Sequence, residues 1–159
     1  MNNASSEIEL RPTTLSDLEL LAKLRRELYA HDPSAIDEIV DRSVLTQLIE
    51  RPDLGRAWLV MRGSETAGYV LVTFCFSVEF AGRFALIDEL FLVPLFRGGG
   101  IGSLVLGEVE KRVNADGISA MRLEVERSNL GAERLYRRLG FEPHDRHLMT
   151  KWLNRPAKS

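Results

Sequence analysis

The chain has 159 residues, 45% of them hydrophobic and 28% charged, with 21 basic against 23 acidic side chains and a formal charge of −2. That length fits one domain whose core needs no staple, and the charge argues against nucleic acid as the main partner, whose binding surfaces are strongly basic. A single cysteine, Cys75, excludes an internal disulfide and a four-cysteine zinc site.

Met1 to Ser6 lacks the basic start and apolar core of a secretory signal. The longest nearly apolar run, Tyr69 to Phe76, is far short of the ~20 residues that span a bilayer. The expectation is a cytoplasmic domain with no membrane partner, covering 7–153 between frayed ends at 1–6 and 154–159. Ile8 to Arg11 reads as a strand stopped by Pro12. Thr14 and Asp17 have the spacing of a helix cap, and Leu18, Leu21, Ala22, Leu28 and Tyr29 predict a helix to about Ala30. A second helix carries Ile36, Ile39, Val40, Val44 and Leu48 as its expected inner stripe, ending at Arg51-Pro52-Asp53. Three strands follow, Ala57 to Arg62, Ala67 to Phe76 and Phe84 to Val93, separated by glycine turns in the manner of an antiparallel meander.

A glycine loop, Arg97-Gly98-Gly99-Gly100-Ile101-Gly102-Ser103, then opens a helix bearing Leu106, Val109 and Val113. Met121 to Val125 reads as a strand, Asn129 to Leu139 as an amphipathic helix with Gly140 in the position after its end, and His147 to Leu153 as a last strand. The order predicts an α+β fold in which the crossover through the glycine loop joins a locally parallel strand pair. Trp58 and Trp152 are expected to be packing residues and Cys75 a small core residue.

Four of the twelve glycines lie between positions 98 and 102. Glycine lets a backbone turn freely and approach a ligand closely, and a new helix presents unpaired N–H groups and partial positive charge. The loop therefore reads as a cradle for a phosphate or pyrophosphate, with Arg97 as a cation at its mouth and Ser103 as a hydroxyl donor. It has no lysine of the nucleotide-binding P-loop type, and its spacing and the preceding meander do not suit a dinucleotide fold. An empty connector is the alternative for the loop taken alone.

Arg97 to Gly102 resembles the Arg/Gln-x-x-Gly-x-Gly/Ala signature of the GNAT superfamily of N-acetyltransferases. Leu90 to Phe96 is similar to the strand and turn that lead into it. Asn129 to Phe141, read as Asn-x-x-Ala-x-x-Leu-Tyr-x-x-x-Gly-Phe, resembles the second acetyl-CoA segment, and the element order matches from about Ile8 to Leu153. Ile87 to Leu92 with the loop is similar to the diamine (polyamine) acetyltransferase branch. The resemblance implies a GNAT-like fold, with a mixed, mostly antiparallel sheet splayed at an acetyl-CoA cleft and about four flanking helices. It implies pyrophosphate on the backbone of Gly98, Gly99, Gly100, Ile101, Gly102 and Ser103, and pantetheine pairing like a strand with Leu90, Phe91 and Leu92. Asn129 and Ala132 would line the far side of acetyl-CoA. A homodimer is a further implication.

Transfer to an amine needs a base, since such an amine arrives protonated, and a proton for the departing thiolate. Asp88 and Glu89 are adjacent on a strand, where simple alternation turns them to opposite faces. The resemblance assigns a water-relayed base to Asp88, at a position where relatives tend to carry Glu, and leaves Glu89 to bind substrate charge or brace the strand; the alternative is that one carboxylate is simply solvated and the other pairs with an arginine. It makes Tyr136 the general acid, although Ala132, Leu135, Tyr136 and Leu139 also form an apolar stripe in which a tyrosine is ordinary core. Asp32, Asp37, Glu38 and Asp41 lie where a cationic acceptor could be attracted, or form a solvated helix face. The implied activity is acetyl transfer from acetyl-CoA to a primary amine, a small diamine or polyamine first. A protein N-terminus or lysine is a second acceptor class, and a silent acyl-CoA sensor a different function altogether.

Overall fold

The computed structural model describes residues 8–154, so the expected frayed ends fall almost entirely outside it. Strand β1 (Ile8–Pro12) leads through a 3-10 turn into helices α1 (Leu18–Leu28) and α2 (Glu38–Glu50). The meander β2 (Gly55–Arg62), β3 (Glu65–Ser77) and β4 (Gly82–Leu92) follows. Helix α3 (Ile101–Ala115), the short strand β5 (Met121–Leu123) and helix α4 (Leu130–Arg138) complete the elements. The sheet runs in order β1-β2-β3-β4-β5, antiparallel except for the parallel pair β4 and β5 that the crossover requires.

Two apolar layers sandwich this sheet. On one face Leu10, Trp58, Val60, Val70, Val72, Ala85 and Ile87 meet Val105, Leu106, Val109 and Val113 of α3. On the other, Leu59, Tyr69, Leu71 and Phe91 meet Leu21, Ala22 and Leu24 of α1 and Leu45 of α2. The Thr14–Asp17 cap forms as expected, with Asp17 Oδ2 accepting from the Thr14 N–H at 2.8 Å.

Three expectations need correction. Most of the expected stripe of α2 faces outward: Ile39, Val40 and Val44 are 84%, 41% and 56% exposed, while Leu48 packs inward as expected. The inward face instead runs through Asp41, Leu45, Leu48 and Ile49, at helical spacing. Its first member is a carboxylate, satisfied by an ion pair, so an apolar count misses it. Second, His147 to Leu153 forms no strand, and Leu148, Met149 and Leu153 are at least 75% exposed. A strand pattern becomes a strand only beside a receiving edge. Here β5 is three residues long and pairs with β4 alone, while residues 141–148 stand off it across a groove of about 1350 Å³. Third, Trp58 is buried as expected, but Trp152, in the same non-strand segment, is 60% exposed.

One irregularity in β4 governs the site. Val72 pairs with Ile87 and Leu71 with Glu89, so Asp88 is an extra residue bulged out of the ladder.

Candidate active site

The glycine loop has the conformation its composition demands. Gly98, Gly99 and Gly100 take φ of 84°, 61° and 79°, three successive residues in the left-handed region that side chains disfavour. A Cβ on any of them would meet nothing within 4 Å, so backbone angle rather than crowding explains the glycines. Ile101 is buried in the core and its N–H is held by the Gly98 carbonyl at 3.3 Å. Among the described residues the N–H groups of Gly99, Gly100, Gly102 and Ser103 meet no acceptor. Four unpaired donors at the positive end of a 15-residue helix fit a pyrophosphate.

The edge of β4 is open next to this cradle. Pairing with β5 covers only Ala85, Leu86 and Ile87 and stops at Leu123. The Val93 N–H bonds the Ala67 carbonyl of β3, so alternation turns the backbone groups of Phe91 toward β3 and those of Leu90 and Leu92 toward the open side. Arg97 Nε donates to the Leu92 carbonyl at 2.8 Å on that side. Of the three expected pairing residues, Leu90 and Leu92 thus have backbone groups free of the sheet, which fits an extended chain carrying amide groups.

Helix α4 closes the far wall. Asn129 caps it, its Oδ1 accepting from the Ala132 N–H at 3.1 Å, so these two expected cofactor residues are tied to each other. Leu135 reaches the first turn of α3, its Cδ2 3.5 Å from where a Cβ of Gly102 would stand. The neighbouring Tyr136 is half-buried and meets Phe141 edge-on, ring centroids 5.9 Å apart. Burial raises its phenol above the ordinary value.

The adjacent carboxylates have opposite surroundings. Glu89 accepts four hydrogen bonds: from Arg25 Nε at 2.9 Å and Nη2 at 2.8 Å, from the Tyr29 hydroxyl at 2.9 Å and from the Tyr69 hydroxyl at 2.9 Å. Its side chain is 8% exposed. Burial opposes its charge, but the Arg25 guanidinium and the two hydroxyls outweigh burial and hold its pKa below the usual value. Arg25 also pairs with Asp41 of α2. Asp88, in the bulge, has no such partners. Partial desolvation, then the charges of Glu89 and Glu124, push its carboxyl upward against the pull of Arg25. The bulge removes the simple alternation expected of this pair, because Asp88 sits outside the ladder rather than on its second face.

Arg25, Tyr29, Tyr69 and Glu124 are site residues that sequence reasoning did not single out. Arg25 and Glu89 are 64 positions apart, and no local pattern joins them. Glu124 follows Leu123, the last residue paired with β4, as Asp88 follows its partner Ile87, and only that register, not any sequence pattern, brings it to the site.

The sequence profile of the Acetyltransferase (GNAT) family matches residues 19–141. The chain belongs to the GNAT acetyltransferase family. It is an acetyl-CoA-dependent N-acetyltransferase of the GNAT type. An IAA acetyltransferase of Azospirillum brasilense is 29% identical over 133 residues, 82% of this chain and 81% of that protein. A thialysine N-epsilon-acetyltransferase of Mus musculus is 34% identical over 79 residues, 50% of this chain but only 46% of that protein. Among solved structures, an integron cassette protein from the mobile metagenome of Cole Harbour Salt Marsh superposes with TM-score 0.80 at 31% identity, covering 92% of this chain and 91% of its own. The aminoglycoside N-acetyltransferase AAC(6′)-Iy, solved with CoA, superposes with TM-score 0.76 at 16% identity over 97% of this GNAT chain and all of its own, a likeness of fold. No helix among the described residues is long and apolar enough to cross a membrane.

Proposed function

We propose that this acetyltransferase acetylates a small cationic diamine or polyamine by direct transfer in a ternary complex. The observation that carries this reading is the vertex where β4 and β5 part: Asp88, exposed and bulged, feels the neighbouring Glu124 carboxylate, while Glu89 is saturated by its own partners. Two carboxylates beside an open strand edge attract an ammonium, and one of them remains free to take its proton.

In this mechanism Asp88 accepts a proton from the ammonium through a water, since its side chain is short. The freed nitrogen lone pair attacks the thioester carbonyl carbon. A C–N bond forms, the C–S bond breaks, and the thiolate takes the phenolic proton of Tyr136. The nitrogen releases its second proton to solvent, Asp88 passes its proton to solvent, and Tyr136 is reprotonated from solvent. Leu90 and Leu92 would hold the pantetheine chain, and the unpaired amides of the loop the pyrophosphate. A shared fragment of likeness to thialysine N-epsilon-acetyltransferases, which are named for acetylating a side-chain amine, supports an amine of this size.

The test is thiol release from acetyl-CoA across diamines, polyamines, free amino acids and a peptide with a free N-terminus. The expected result is the highest kcat/KM with a diamine or polyamine, and a fall in kcat of about 100-fold or more in Asp88→Ala with acetyl-CoA affinity unchanged. A peptide preferred over every diamine overturns the acceptor class. Wild-type kcat in Asp88→Ala overturns the base, and tight CoA binding without turnover of any amine points to a sensor.

A further inference from the structure

Arg25 stands at the centre of a network that the reaction above does not use. Its guanidinium grips Glu89 of β4 through two nitrogens and Asp41 of α2 through the third, with 15% of its side chain exposed. Tyr29, at the C-terminal cap of α1, and Tyr69 of β3 complete the shell around Glu89. Four elements, α1, α2, β3 and β4, are therefore joined through Arg25 and Glu89. We propose that Arg25 is a positioning residue for acetyl transfer: by saturating Glu89 and holding Asp41 it locks α1 and α2 onto β4, keeps Glu89 out of proton transfer, and fixes the charge beside Asp88. This inference rests on the reading of Asp88 as the base.

The argument is one of geometry and hydrogen-bond capacity. A carboxylate has about four lone-pair sites, and Glu89 has four donors aimed at it. It cannot accept a substrate proton without giving up a bond made in a nearly dry site. It stays an anion, one residue from Asp88. The charged groups acting on Asp88 are Glu89 of β4 itself, Arg25 of α1 and Glu124 after β5. Two of the three belong to, or are held by, the network. Asp41 of α2 acts at one remove, by sharing the Arg25 charge.

The consequence is read in the pH dependence of kcat/KM with one diamine, on the acidic limb where the rate rises as the base ionises. Glu89→Gln keeps a hydrogen-bond acceptor for Arg25 but removes an anion next to Asp88, so the limb moves to lower pH by about 0.5–1 unit. Below the wild-type limb this variant is then about 3–10-fold faster relative to its own plateau. Arg25→Met moves the limb the other way, and Arg25→Lys returns it part of the way. The amine's own ionisation is common to all variants. Should Arg25→Met fail to fold, Glu89→Gln carries the test. Asp88→Asn separates the two readings. A limb that persists in Asp88→Asn overturns the base assignment and this proposal with it. A limb lost in Asp88→Asn yet unmoved in Glu89→Gln overturns this proposal alone.

Discussion

The two sides of β4 solve opposite problems. Toward α3 and α4 the site is made of backbone: left-handed glycines, unpaired amides at a helix start, and a strand edge left open beyond Ile87. Toward α1 and α2 it is made of side chains, with Arg25, Tyr29 and Tyr69 converging on Glu89 and Asp41 pairing with Arg25. A backbone surface suits a ligand that every member of the family shares, because main-chain donors do not depend on which side chains a lineage keeps. A side-chain network suits the part that differs among members, because each group in it can be exchanged. The first side holds its donors unsatisfied and waiting. The second has spent its donors within the protein, and so contributes rigidity and fixed charge rather than vacant hydrogen bonds.

This contrast is open to attack at three points. Tyr136, the proposed acid, is its largest exception, a side chain given chemistry on the backbone side. Replacing it with Phe is expected to cut kcat by about 100-fold or more while leaving acetyl-CoA affinity within about twofold, as measured by thiol release and CoA titration. A kcat within twofold of wild type reduces it to a packing partner of Phe141 and leaves the cofactor side wholly backbone-built.

The next effect in size tests the cradle itself. Gly99→Ala adds a methyl that touches nothing but demands a left-handed backbone at φ 61°. The cost of about 1–2 kcal/mol is expected to appear as a roughly tenfold weaker acetyl-CoA affinity in calorimetry, with the fold intact. Unchanged affinity means that the loop conformation is not what the cofactor reads. The smallest effect is at Asn129→Ala, which removes the cap of α4. That costs about 1 kcal/mol and a fall of about 2–4 °C in Tm by calorimetry, with acetyl-CoA affinity changed less than about fivefold. A larger affinity loss makes the Asn129 side chain a ligand as well as a cap.

The same division explains what could be read from the sequence. The glycine loop was legible because residue type there encodes backbone angle directly, and the α4 segment because cap and stripe are local. The meander and the parallel crossover followed from turns and element order. The Glu89 shell was not legible: it joins residues from α1, β3 and β4 that only tertiary packing brings together. Asp41 misled for a related reason, since a charge on the inward face of α2 looks like a charge on its outer one. The missing last strand shows the limit of pattern itself, because a strand needs a neighbour as well as a composition.

The bulge at Asp88 has a consequence for engineering. Before it, the odd-numbered Ala85 and Ile87 pack toward α3; after it, Leu90 and Leu92 do, while Phe91 packs toward α1. The strand changes parity at one residue. A chimera that imports this segment from a relative must keep the bulge as well as the length. A segment of equal length that ran straight through the ladder would set Glu89 opposite Val70 instead of Leu71 and exchange the environments of every position from there onward, burying the carboxylate among the valines of α3 and stranding Arg25 without its partner.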